Sequence, residues 1–209
     1  MSRVAAPVTA LGPGRRVALW VQGCTIGCAG CASVDTWDPD GGRAVDLDEL
    51  RARILGHAGA TGAGGFTVTG GEPFQQAPAL VSLIAGLREE WPGERPDVLV
   101  FTGYAAGAAR RISPELWDSA DVLVAGPYRA DRPSGHPLLG SGNQVLHVRT
   151  EAGAKSIERH GIAPAHLQFV EQDGALHVIG MPEPGDLDRL RERLRERGIS
   201  FDAVSWEAG

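Results

Sequence analysis

A fourth cysteine is missing from this sequence. Three are present in 209 residues, and all lie within eight positions, in "CTIGCAGC" at residues 24–31. The N-terminal "MSRVAAPVTALGPG" lacks a basic stretch leading into an apolar one with a cleavage site, and no apolar run approaches membrane-spanning length. The expectation is a soluble, cytoplasmic chain with no membrane attachment. In that reducing compartment, clustered cysteines point to metal binding or chemistry rather than disulfides. Positive charge is also short: 20 Lys and Arg stand against 26 Asp and Glu, for a net charge of −6. That balance gives no electrostatic pull toward nucleic acid or an anionic membrane. No serine sits in a nucleophile-elbow setting, and there is no Glu-x-x-His or paired metal-binding histidines, so hydrolase chemistry has no support. The glycine-rich "GATGAGG" from Gly59 precedes a strand instead of joining a strand to a helix. It therefore reads as a turn and not as a phosphate cradle.

What is present is an alternation of strands and helices. Apolar, β-branched runs at residues 17–21, 66–69, 98–101, 122–125 and 145–148 are each bounded by Gly, Pro or Asp and read as buried strands. Between the first two, "DLDELRARIL" pairs Asp46 with Glu49 as a capping box and sets Leu47, Leu50 and Ile54 on one helical face. A second helix places Leu80, Ile84, Leu87 and Trp91 in register, and a weaker one spans residues 108–119. Strand–helix repetition implies parallel pairing with right-handed crossovers. Residues 129–142, rich in Gly and Pro, carry no helical pattern, so the alternation stops short of an eight-stranded barrel. The α/β expectation is a partial (β/α) barrel or open sheet.

The tail differs in kind. "HLQFVEQDGALHVIG" alternates around Asp173-Gly174, a strong hairpin signal, and Leu187, Leu190 and Leu194 then form one helical stripe. A small C-terminal ββα appendage is expected from about His166. Residues 1–150 are expected to form the core and residues 151–209 a linker plus this appendage. A short barrel would leave one side open, and such an opening suits a macromolecular substrate better than a small one.

The cysteines follow the first strand directly, where α/β folds collect their ligand groups. Three readings compete at this point. One is three small buried residues on a loop, although the glycines offer little apolar periodicity. Another is zinc, whose fourth ligand would have to come from outside the loop. The third is an iron–sulfur cluster, usually held by four thiolates, so that three would leave one iron open to another ligand.

The spacing C-x3-C-x2-C at Cys24, Cys28 and Cys31 is similar to the signature of the radical S-adenosylmethionine (SAM) superfamily. "TGGEP" at residues 69–73 resembles that superfamily's methionine-binding motif. "QGCTIGCAGC", "DTWD", "FTGY", "DVLVAGPY" and "GSGNQ" together resemble the activating enzymes of anaerobic (class III) ribonucleotide reductase, a branch of the glycyl radical enzyme activases. The resemblance covers residues 12–148 and departs from the branch at Ala125, where those activases often carry an acidic residue.

The resemblance implies a partial barrel of radical SAM type. It also implies one [4Fe-4S] cluster on Cys24, Cys28 and Cys31, with SAM's methionine chelating the open iron. Reductive cleavage of SAM would give a 5′-deoxyadenosyl radical that abstracts hydrogen. Gly70, Gly71, Glu72 and Pro73 would take the methionine: the glycines permit close backbone approach and Glu72 helps hold the amine. Without the cysteines, the same four residues read as an ordinary turn. Thr102, Gly103 and Tyr104 would sit near the ribose or adenine, with Asn143 contributing similarly. Trp37 would screen the cluster or pack the loop. The partners implied are a protein or peptide substrate, foremost a glycyl radical enzyme, and a flavodoxin- or ferredoxin-type reductant. A stand-alone enzyme modifying a peptide or small molecule, and a non-catalytic iron–sulfur electron carrier or redox sensor, are the alternatives.

Overall fold

Strand residues 17–21 alternate between two apolar environments, and that alternation decides the architecture. The chain, described here from a computed structural model covering residues 1–164, 167–172, 175–200 and 204–206, is a mixed α/β protein. Its main sheet has six strands in sequential order: β1 (Arg3–Val8), β2 (Arg16–Val21), β3 (Gly65–Gly70), β4 (Asp97–Thr102), β5 (Val122–Ala125) and β6 (Val145–Val148). Strands β2 to β5 are parallel, with Val21 opposite Gly70 and Thr102 opposite Ala125. β1 and β6 pair antiparallel at the two edges.

β1 falls in a stretch that carried no strand signal in the sequence, because Pro7 interrupts its apolar pattern. β6 was expected as a strand, but its direction reverses. The Gly/Pro-rich connection from residue 126 to 144 contains no crossover helix to carry the chain back for parallel pairing.

One face of the sheet buries Val17, Leu19, Val21, Phe66, Val68 and Val100 under helices α1 (Leu47–Thr61) and α2 (Ala77–Glu90), with α3 (Ala106–Ile112) and α4 (Pro114–Ser119) beside them. α1 starts where the Asp46 carboxylate accepts the N–H groups of Asp48 and Glu49, and ends at left-handed Gly62. α2 buries Leu80, Leu83, Ile84 and Leu87. The single weak helix expected over residues 108–119 is two helices. Ser113 leaves helical geometry to cap α4, and Pro114 has no N–H to continue α3.

The other face is also covered. Helix α5 (Glu151–His160), which lies in the stretch expected to be linker, sets Ile157 against Leu99 and Val122. A separate hairpin, β7 (Gln168–Gln172) with β8 (Ala175–Ile179), seats Ile179 among Ala5, Val8, Leu11, Ala18 and Trp20. Helix α6 (Asp186–Arg195) follows, completing the ββα order. The turn residues Asp173 and Gly174, and His166 at the expected start, lie outside the described residues. Among the described residues no helix is long and apolar enough to cross a membrane.

At the N-terminal ends of the parallel strands lies a fully buried Arg16. Its guanidinium donates to Thr67 Oγ1 (2.6 Å), to the carbonyls of Pro13, Phe66 and Asp97, and pairs with the Asp97 carboxylate at 2.9 Å. It clamps β2, β3 and β4 together at the end opposite the cysteines. Arg16→Met is expected to lose about 3–5 kcal/mol of unfolding free energy in a urea titration, because it strands a buried carboxylate. Adding Asp97→Leu should recover part of that loss.

Candidate metal and ligand site

The site forms because the β2–β3 pairing continues past both strands. The Gly71 N–H donates to the Val21 carbonyl (2.9 Å) and the Glu72 N–H to the Gly23 carbonyl (2.8 Å). The "GGEP" segment therefore runs backbone-to-backbone against the start of the cysteine loop. A Cβ on Gly71 would stand 2.3 Å from the Gly23 carbonyl oxygen, and one on Gly70, at φ +95°, would meet Trp20 Cα at 2.8 Å. The two glycines are required by this chain-to-chain contact. Both also line the cavity described below, where the expected ligand amine would approach them.

Glu72 carries the junction to the third strand. Its buried carboxylate accepts from the N–H of Phe74 (2.9 Å), from Thr102 Oγ1 (2.8 Å) and from the N–H of Gly103 (2.8 Å). Burial pushes its pKa up, and these three donors pull against that shift. Glu72 so binds the end of β4 to the end of β3, and the carboxylate lies within electrostatic reach of Cys28. Pro73 is buried at the first position of a short 3-10 helix, Pro73–Gln76, that Glu72 caps. Gly103 leaves room for Ile26 of the cysteine loop, whose Cδ1 would meet a Cβ there at 2.6 Å.

The three cysteines are free, half-buried and line one cavity of about 540 Å³. Gly70, Gly71, Glu72, Thr102 and Gly103 line it with them, whereas Pro73, Tyr104 and Asn143 stand outside its wall. Tyr104 instead uses its hydroxyl to accept from Gln75, which also bonds Thr25. Asn143 donates to the Pro127 carbonyl, and it is the neighbouring Gln144 that reaches the cavity.

The donor set suits an anionic iron–sulfur centre. The Cys28 sulfur faces the backbone N–H of Tyr128; the Cys31 sulfur accepts from the Ser33 N–H (3.4 Å) and faces the Trp37 indole. Burial pushes both thiols above their ordinary pKa, and neighbouring cysteines add to the shift, so these N–H donors favour the thiolate that a metal needs. Among the described residues, no three His, Cys, Asp or Glu side chains already stand as a closed metal cage. Gly27 and Gly30, both at positive φ between the cysteines, give the loop the freedom to draw in.

Tyr128, Gln75 and Gln144 were not singled out in the sequence. The signal for Gln75 was a polar pair, "QQ", placed against the apolar start of α2. The appendage, which the sequence left as either a cover for the open side or a partner-docking element, contributes Val178, Met181, Leu187 and Trp206 to the same cavity as the cysteines.

The model of a family described as a 4Fe-4S single cluster domain matches residues 10–147. The chain is 32% identical over 143 residues to the anaerobic ribonucleoside-triphosphate reductase-activating protein of Salmonella typhimurium, covering 65% of this chain and 90% of that protein. The protein of the same name from Enterobacteria phage T4 is 29% identical, covering 67% of this chain and 88% of its own length. The pyruvate formate-lyase-activating enzyme of Staphylococcus aureus is 34% identical over 136 residues, which are 63% of this chain and 54% of that enzyme.

Gly71→Ala tests the junction. The added methyl displaces the residue before Cys24, so the variant is expected to lose about 2 kcal/mol or more of stability. Its iron content after reconstitution should fall in parallel, which combined denaturation and iron assays would show.

Proposed function

The chain belongs to the 4Fe-4S single-cluster family that includes the anaerobic ribonucleoside-triphosphate reductase-activating proteins, and we propose that it is a radical SAM enzyme that activates a glycyl radical partner. One observation carries the reading: three thiols and the "GGE" backbone share one cavity at the C-terminal ends of neighbouring parallel strands. An electron carrier has no use for such a cavity beside its cluster. In this reading the six-stranded sheet is the partial barrel of radical SAM type. Residues 1–150 form its core, which α5 completes by packing on β4, and the β7–β8–α6 segment is the appendage.

Cys24, Cys28 and Cys31 would hold a [4Fe-4S] cluster, and the missing fourth thiolate leaves one iron for SAM's methionine. When bound, these two groups together supply reductive cleavage of SAM and a carbon radical that removes hydrogen from the partner's glycine. The chain's own residues position and shield. Glu72, held by three donors, presents carboxylate charge on the side where a cationic amine would lie. Thr102 and Gly103 adjoin it in the cavity lining, which also takes in Gln144 and Tyr128. The Trp37 indole and the Ser33 N–H stabilise negative charge on Cys31 sulfur. Thr25, Gly27, Ala29 and Gly30 keep the outer edge of the loop exposed, which suits electron entry from a flavodoxin- or ferredoxin-type reductant.

Anaerobic reconstitution should load about four irons and four sulfides per chain, and Cys28→Ala should retain no stable cluster; full incorporation in that variant rules out the assignment. With a strong one-electron reductant, SAM and a partner deuterated at glycine Cα, deuterium is expected in 5′-deoxyadenosine and a glycyl radical signal on the partner. Deuterium arriving only from a small metabolite would instead indicate a stand-alone enzyme.

A further inference from the structure

The appendage lies beyond the matched residues 10–147, yet it builds part of the cavity. It is fastened at three places. Gln168 accepts from the Thr9 N–H (2.9 Å) and donates to the Pro7 carbonyl (2.6 Å), tying β7 to β1. Ile179, 2% exposed, is seated in the apolar face of β1 and β2. Ser205 accepts from the Asp35 N–H (3.1 Å) and donates to the Ala32 carbonyl (3.1 Å), on the segment just past Cys31. Between the last two anchors, "GMPEPG" at residues 180–185 lines the cavity, its backbone restricted by Pro182 and Pro184. The open side expected of a short barrel is thus closed on one flank by the chain's own C-terminal part.

The cavity's charge is one-signed. Its lining among the described residues includes no Lys, Arg or His; the charged side chains are Glu72, Glu183 and Asp188, two of them from the appendage. On the appendage side, an anionic substrate segment would lose hydration with no basic side chain to replace it, and would face the Glu183 and Asp188 carboxylates. Trp20, Phe101, Met181 and Leu187 supply apolar wall between these groups.

We propose that the β7–β8–α6 appendage is the specificity wall of the active site. With the inner face of the sheet it forms a slot that admits an extended, neutral or cationic peptide segment and rejects anionic substrates. Met181 and Leu187 set the slot's width, and Glu183 and Asp188 its charge preference. The proposal rests on the activase reading for the identity of the peptide as a partner's glycine-bearing segment, while its charge and wall geometry can be tested apart from it.

The first arm uses hydrogen exchange on the reconstituted full-length protein with SAM present. Two glycine-centred heptapeptides are added at millimolar concentration, one flanked by lysines and one by glutamates. The lysine peptide is expected to slow exchange severalfold across residues 178–188, and the glutamate peptide to leave it unchanged. Equal protection by both, or by neither, overturns the proposal. The second arm uses Leu187→Trp, with iron content as the check on folding and Arg193→Ala on the exposed face of α6 as control. With the partner present, the number of 5′-deoxyadenosine molecules released per glycyl radical should rise about fivefold or more in Leu187→Trp and stay at the wild-type value in Arg193→Ala. An unchanged ratio in a cluster-loaded Leu187→Trp protein overturns the wall. Wild-type enzyme that cleaves SAM but puts no radical on the partner overturns the activase reading instead, and the peptide arm still decides the wall.

Discussion

The Glu72 carboxylate is the tie on which the site depends. Just past the end of β3, it holds the end of β4 through Thr102 and Gly103, while the backbone N–H of the same residue bonds Gly23 at the start of the cysteine loop after β2. Parallel strands end without any hairpin to hold their tips together, so the order of a site at those tips has to come from such lateral bonds. Here one side chain with three donors does it from a buried position, where each bond is strengthened by the low local dielectric. The same residue lines the cavity that the three thiols also line.

A second layer of polar ties fixes the cysteine loop as a whole. Gln22 donates to the carbonyls of Asp35 and Asp38, closing the loop at its base, while Gln76 bonds the Gln22 carbonyl. Gln75 links Thr25 to Tyr104. These amides hold the loop's two stems and leave its middle, at Gly27, unpacked. A rigid frame around a compliant centre is what a loop needs if it is to close on a cluster added after folding.

Much of the fold is legible in the sequence. The apolar runs locate five of the six strands of the main sheet, and the cysteine spacing and the "GGEP" turn pick out segments that the fold brings to one cavity, because each signal is local. What escaped was set by long-range contact. β1 has no periodicity of its own and is a strand because β2 offers it an edge. The reversal of β6 follows from what the preceding loop lacks. Asn143 and Gln144 are equally polar neighbours, and only the fold turns the second into the cavity while the first bonds Pro127. The appendage read correctly as ββα, but nothing in its pattern said which surface Ile179 would be buried against. The glycines of "GGEP" have a use that only packing reveals: their missing side chains make way for the neighbouring chain.

The central claim is that three thiolates hold the cluster and leave one iron for SAM. Mössbauer spectroscopy of the protein reconstituted with iron-57 reads the four irons separately. Addition of SAM should move one iron site to parameters of higher coordination and leave the other three in place. Four irons that stay unchanged when SAM is added would contradict the account.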